Sequence, residues 1–187
     1  MLHKSTRIIF LSIVLTSLLI SSLNFGNVEA SLLINETRGA ILYVKANGNG
    51  NCTSWSLACG LQTALYQAGL GDQIWVASGT YKPSVPTNRE ATFQLESGVE
   101  WYGGFPENGG TWASRNWQNN PTILSGDIGV INDKSDNSFS VVTGNEVDNT
   151  TIIDGFIIRD GNGYGGGIYL YRSHPELKNL LIWNNSV

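Results

Sequence analysis

Two stretches near the end of the chain decide how it is to be read: GFIIRD at residues 155–160 and NLLIWN at residues 179–184. They align at an offset of 24 residues, and each sets three apolar residues in a row before polar turn residues. Between them, GGGIYLY (165–171) supplies another short strand around residues 168–170. A period of 20–30 residues points to a solenoid in which each coil lies on the last. Strands this short stand only when a further coil buries a face. Asparagine and glycine suit the corners, because both accept left-handed backbone. Helical repeats are disfavoured, since Gly165, Gly166 and Gly167 would each cost about 1 kcal/mol inside a helix. A flat antiparallel sandwich would share the short strands and glycine turns. The 24-residue spacing and the apolar runs without strict alternation favour the solenoid.

Earlier segments are consistent with this pattern. FSVV (139–142), TILSGD (122–127), VEWYGGF (99–105) and ATFQLE (91–96) read as short strands, and residues 106–121 as a Gly/Asn/Trp-rich excursion loop. In GDQIWVASGTY (71–81), Ile74 and Val76 build a strand between glycine turns. Upstream the period changes: Leu57, Leu61, Ala64, Leu65 and Ala68 recur at spacings of three and four. That predicts a short amphipathic helix over residues 56–68, ended by Gly69 and Gly71. ILYVKA (41–46) is the first strand, followed by the turn NGNGN (47–51).

The N-terminus has another character. Lys4 and Arg7 precede a 13-residue apolar run at residues 8–20, and VEA (28–30) offers small residues for cleavage. This predicts a signal peptide over residues 1–30, too short to span a membrane as an anchor. Residues 31–187 would form the secreted part, 157 residues with a formal charge of −5, and no later segment reads as transmembrane. Without a basic cluster, a nucleic-acid partner is not expected. Cys52 and Cys59 read as one disulfide in an oxidising compartment. On the predicted helix, Cys59 would fall opposite Leu57 and Leu61, outside the apolar contact. One histidine, His174, remains after the leader, which disfavours histidine-rich metal sites and a Ser-His-Asp arrangement. Sequons at Asn35, Asn51, Asn149 and Asn184 read as chance matches in an Asn- and Thr-rich chain.

YVKANGNG, the short helix and GDQIWVASGTY resemble the N-terminal cap and first coil of secreted right-handed parallel β-helix proteins, the pectate-lyase-like fold. The motif is carried by Gly71, Asp72, Ile74, Val76, Ala77, Gly79 and Tyr81. VEWYGGFPENG (99–109) and the GGGIYLY and WNNS segments are similar to repeats of polymorphic outer-membrane and adhesin-like surface proteins. The resemblance covers residues 41–187. It implies an all-β solenoid, a right-handed parallel β-helix whose first coil is covered by a capping helix that shields an open strand edge. It also implies a truncated chain lacking later coils or an anchoring domain.

For function, the resemblance implies an exported or cell-surface protein, adhesin-like or structural, contacting polysaccharide or the glycans of a host or neighbouring surface. The lack of a catalytic constellation, the glycine-asparagine repeats and the lone His174 favour a non-enzymatic one. The alternative is a polysaccharide lyase or glycoside hydrolase acting on acidic polysaccharide. Lyases of this fold are expected to hold calcium on carboxylates beside a basic residue. The candidates are Asp127, Asp154 and Asp160, with Arg159 as base. Asp127, Asp133 and Asp136 read more naturally as a polar loop than as hydrolase carboxylates. Among the aromatics, Trp101, Trp112 and Trp117 are candidates for stacking on sugar rings, against the competing account that they pack. Tyr164, Tyr169 and Tyr171 could form a second patch, and Trp55 is most simply packing for the cap.

Overall fold

A computed structural model describes residues 39–84 and 88–187; the leader expected over residues 1–30 lies outside them. In chain order the elements are β1 (Ile41–Val44), α1 (Leu61–Gln67), β2 (Gln73–Ala77), β3 (Gly79–Tyr81), β4 (Phe93–Leu95), β5 (Glu100–Phe105) and β6 (Thr122–Ser125). They continue with β7 (Ser140–Asn145), β8 (Ile152–Asp154), β9 (Ile157–Arg159), β10 (Gly166–Tyr171), β11 (Glu176–Lys178) and β12 (Leu181–Trp183). The protein is thus mostly β, with one α-helix among the described residues. The strands form three sheets, ordered β1-β2-β5-β8-β11, β3-β6-β9-β12 and β4-β7-β10. Every strand pairing is parallel. From β2 onward the chain visits the first, second and third sheets in turn.

The repeat read from the sequence is the pairing itself. Ile157, Ile158 and Arg159 lie beside Leu181, Ile182 and Trp183, and Ile152–Asp154 beside Glu176–Lys178. In parallel register, like side chains stack from strand to strand. Leu42, Ile74, Trp101, Ile153 and Leu177 form one inward row. Tyr81, Leu124, Ile158 and Ile182 form another. Phe93 stacks on Val142 and Val142 on Ile168. The middle members of these rows are fully buried in one core, whereas Leu177 and Ile182 are about half exposed. Tyr81 also belongs to the core, and burial raises its phenol pKa well above the usual value.

Corners are turned by single residues in the left-handed region, at matching places in neighbouring rows. Glu146 (φ 56°) matches Arg172 (φ 48°), Gly155 (φ 84°) matches Asn179 (φ 50°), and Asp160 (φ 64°) matches Asn184 (φ 55°). Side chains at or beside these corners bond from row to row. Asn184 donates its amide to Asp160 Oδ1 (2.6 Å) and Asn179 to Asp154 Oδ1 (2.6 Å). Arg172 pairs with Glu146 at 3.4 Å.

The N-terminal helix is shorter than its periodicity implied. Trp55–Leu57 is a 3-10 turn, and α1 begins only at Leu61 after extended Gly60. Leu61, Ala64 and Leu65 are buried and α1 lies against the core, but Leu57 is half exposed because it precedes the helix. The placement of Cys59 is corrected for the same reason. Its backbone bridges to Val44 and Asn49, with its N–H donating to the Tyr43 carbonyl. Cys59 therefore belongs to the core, not to a helix face outside it. The Cys52–Cys59 disulfide is formed. Closing so short a loop in the unfolded chain is worth about 2–3 kcal/mol. Two short strands, β3 and β11, have no sequence pattern that sets them apart from the corners beside them.

Core burial sets a graded expectation. Ile153→Ala should lose about 2–5 kcal/mol, while Ile182→Ala, in a half-exposed row end, should lose under about 1 kcal/mol. Urea denaturation of both variants checks the difference; equal losses would contradict the assignment of the rows.

Candidate functional site

Alternation in the first sheet sends Ile41, Gln73, Glu100 and Ile152 outward in one row and Tyr43, Trp75, Tyr102 and Asp154 in the next. β5 breaks the alternation. Trp75 is level with Tyr102 but Ala77 with Phe105, so β5 carries one residue more than β2 between these pairs. This bulge falls on Gly103 and Gly104, the latter at φ 92°, a site where a Cβ would meet the Trp117 backbone at 2.6 Å. Its effect is to turn Phe105 from the inner face to the outer one, where Trp75 stacks on it at 4.6 Å.

A second aromatic assembly therefore lies outside the sheet. Trp55 packs on Tyr43 (4.9 Å) and Phe105 (5.5 Å), and Trp112 on Tyr102 (4.8 Å) and Trp75 (5.6 Å). The excursion loop is held there by Trp55, whose indole N–H donates to the Gly110 carbonyl (2.7 Å), and by Asn116, whose N–H donates to that of Gly104 (2.7 Å). Arg115 is the central clamp. It donates to the Gly103 carbonyl (2.7 Å) and the Asp154 carbonyl (3.0 Å) and forms an ion pair with the Asp154 carboxylate (3.0 Å). Its guanidinium also lies 5.3 Å from the Trp112 ring centre and 5.5 Å from that of Tyr102.

Beside these rings is a groove of about 530 Å³ lined by Gly39, Ile41, Gly71, Gln73, Trp75, Tyr102 and Trp112. A polar relay runs along it. Trp75 donates its indole N–H to Gln73 Oε1 (3.0 Å), and Gln73 donates its amide to Glu100 Oε2 (2.8 Å). Tyr102 donates its hydroxyl to the same Glu100 oxygen (3.0 Å). Burial, the bond to Glu100 and the negative charges of Glu100 and Asp154 raise the Tyr102 pKa well above its ordinary value, against a smaller opposing effect of Arg115. Tyr102 thus stays a neutral donor. A half-exposed indole lining the same groove as a fixed amide is suited to a ligand with an apolar face and polar edges.

The residues singled out in the sequence divide between this groove and other places. Trp112, 48% exposed, is at the groove, and it also packs there on Trp75 and Tyr102, as the competing account expects. Trp117, 37% exposed, lines a different hollow of about 270 Å³ with Phe156 and Leu181. Trp101 must be withdrawn as a sugar contact, because it points into the core and is fully buried. Tyr164 lies against Phe139, while Tyr169 and Tyr171 are exposed on β10.

The proposed calcium ligands do not assemble. Asp154 is taken by Arg115 and Asn179, and Asp160 by Ser125, Asn184 and Arg159. Asp127 accepts from the Asn132 N–H, and Asp133 caps a 3-10 turn. Among the described residues no three acidic, histidine or cysteine side chains gather to hold a metal. Arg159, offered as a base, pairs with Asp160 at 3.3 Å and lies over Trp183. Gln73, Trp75 and Glu100 are not singled out by the sequence as site residues. The usable signal was the outward phase of β2 and β5, which required knowing which strands pair.

Comparison of the chain with family models, curated proteins and solved structures gives no match.

The tyrosine environment yields a pH prediction. Tyr102's folded pKa is raised above an unfolded value near ~10, so its contribution is intact below that pH and is lost as pH rises through the folded value. Denaturant-measured stability should fall above pH ~10, and Tyr102→Phe should fall less steeply. Identical alkaline loss in both proteins would show that Tyr102 does not titrate as placed.

Proposed function

We propose that the chain is an exported, surface-displayed right-handed parallel β-helix, non-enzymatic and adhesin-like, whose outer aromatic groove contacts glycans. The observation that carries this reading is that groove: Trp75, Tyr102 and Trp112 line it with Gln73 on a parallel sheet, and Gln73 and Tyr102 both donate to Glu100 beside it. The β-helix part is supported by the repeated visits to three parallel sheets, the pairing of residues 24 apart and the stacked left-handed corners. Export is supported by the charged-then-apolar N-terminus and the Cys52–Cys59 disulfide, which suits an oxidising compartment. A rigid scaffold presenting an aromatic loop is a common way to build a recognition surface.

The test uses the chain expressed with its leader. N-terminal sequencing should find exported protein beginning after Ala30, and a glycan array should show binding. Incubated with acidic polysaccharides, with and without calcium, the protein should release no unsaturated sugar ends detectable by ultraviolet absorbance. Calcium-dependent release abolished by Arg159→Ala would replace this reading with that of a lyase.

A further inference from the structure

We propose that the groove beside Trp112 selects neutral or N-acetylated sugars over uronic acids. This rests on the glycan-contact reading above and adds the class of ligand. The selecting element is Glu100, which stands beside the groove and accepts from two residues that line it, Gln73 and Tyr102. A carboxylate is an acceptor only, and both of its intramolecular donors, Gln73 and Tyr102, converge on Oε2. Oε1 has no partner among the described residues, so a sugar hydroxyl or acetamido N–H can donate to it in a charge-assisted bond. Gln73 and Tyr102 hold the carboxylate in place, so little side-chain freedom remains to be lost on binding. The half-exposed Trp112 indole provides the apolar face on which a pyranose ring stacks.

The same carboxylate disfavours a uronate. A second negative charge brought within a few ångström of Glu100 is repelled, and two described cations on the outer face of this sheet, Arg115 and Lys178, are already matched. Arg115 is committed to Asp154 and to two backbone carbonyls, and it is nearly buried. Lys178, two strands further along the outer face, pairs with Glu176 at 2.8 Å. Selection here is a difference between two ligands, produced by repulsion of one as much as by attraction of the other.

The experiment titrates the tryptophan fluorescence of the exported chain with cellohexaose, N-acetylchitohexaose and hexagalacturonate. At least one of the first two should bind about tenfold or more tighter than hexagalacturonate, a difference of ~1.4 kcal/mol. Glu100→Gln keeps an acceptor but removes the charge, and should narrow that gap by roughly threefold or more; added salt should narrow it too. Trp112→Ala should weaken the neutral ligand about tenfold, with Trp112→Phe as the better-packed variant if the first unfolds. Tyr66→Ala, at a fully solvated position on α1, should change nothing. Hexagalacturonate binding as tightly as the neutral sugars, or a gap unmoved by Glu100→Gln, overturns the selectivity while leaving a glycan-binding surface. Failure of all three sugars to bind overturns both readings.

Discussion

The structure depends on the left-handed residue at each corner. Strands β8, β9, β11 and β12 are three residues long, too short to be stable as isolated pairs. They persist because each begins and ends in register with the strand beside it, and that register is set where the chain turns. A left-handed conformation costs a non-glycine residue about 1–2 kcal/mol. Asp160 and Asn184 meet it with a bond to each other, and Asn179 with a bond to Asp154. Asp160 also accepts from Ser125 in the preceding row, so one side chain ties three rows together. Repeated corners of this kind make short apolar runs into continuous inward stacks.

A single extra residue then gives the first sheet a second hydrophobic assembly. If β5 kept strict alternation, Phe105 would follow Trp101 into the core and Trp75 would lose its stacking partner. The bulge at Gly103–Gly104 turns Phe105 outward, and the same glycines admit the excursion loop close to the sheet. Gly155 makes a similar allowance one strand over: a Cβ there would stand 2.5 Å from the Arg115 guanidinium. The clamp on Trp112 therefore requires the absence of side chains as much as the presence of Arg115 and Asp154. The outer groove and the inner core are two products of one strand's irregularity.

Much of this was legible from residues alone, and the limits have physical causes. The match of residues 155–160 with 179–184 was visible because no insertion separates those rows. β2 and β5, or β5 and β8, are joined by excursions of different length, so no constant offset announces that Glu100 neighbours Gln73. Trp101 could have been placed correctly, since Val99 two residues earlier sets the inward phase of β5. Phe105 could not, because a bulge cancels the alternation that such reasoning uses. The helix began late because Ala58–Cys59 was drawn into backbone pairing beside β1, a tertiary contact that overrides the spacing of Leu57. Asp127, Asp154 and Asp160 share a residue type suited to calcium, but their places at the turns give each a different structural partner.

Trp55 sits inside the loop that Cys52 and Cys59 close, yet its indole is bonded to Gly110 in the excursion loop and its ring rests on Phe105. The covalent staple thus ends in the aromatic assembly as well as in the core. Reduction of the disulfide would release the loop that carries Trp55, and with it one support of the outer aromatic assembly. The oxidation state of the surroundings is in this way linked to the outer aromatic assembly as well as to the stability of the core.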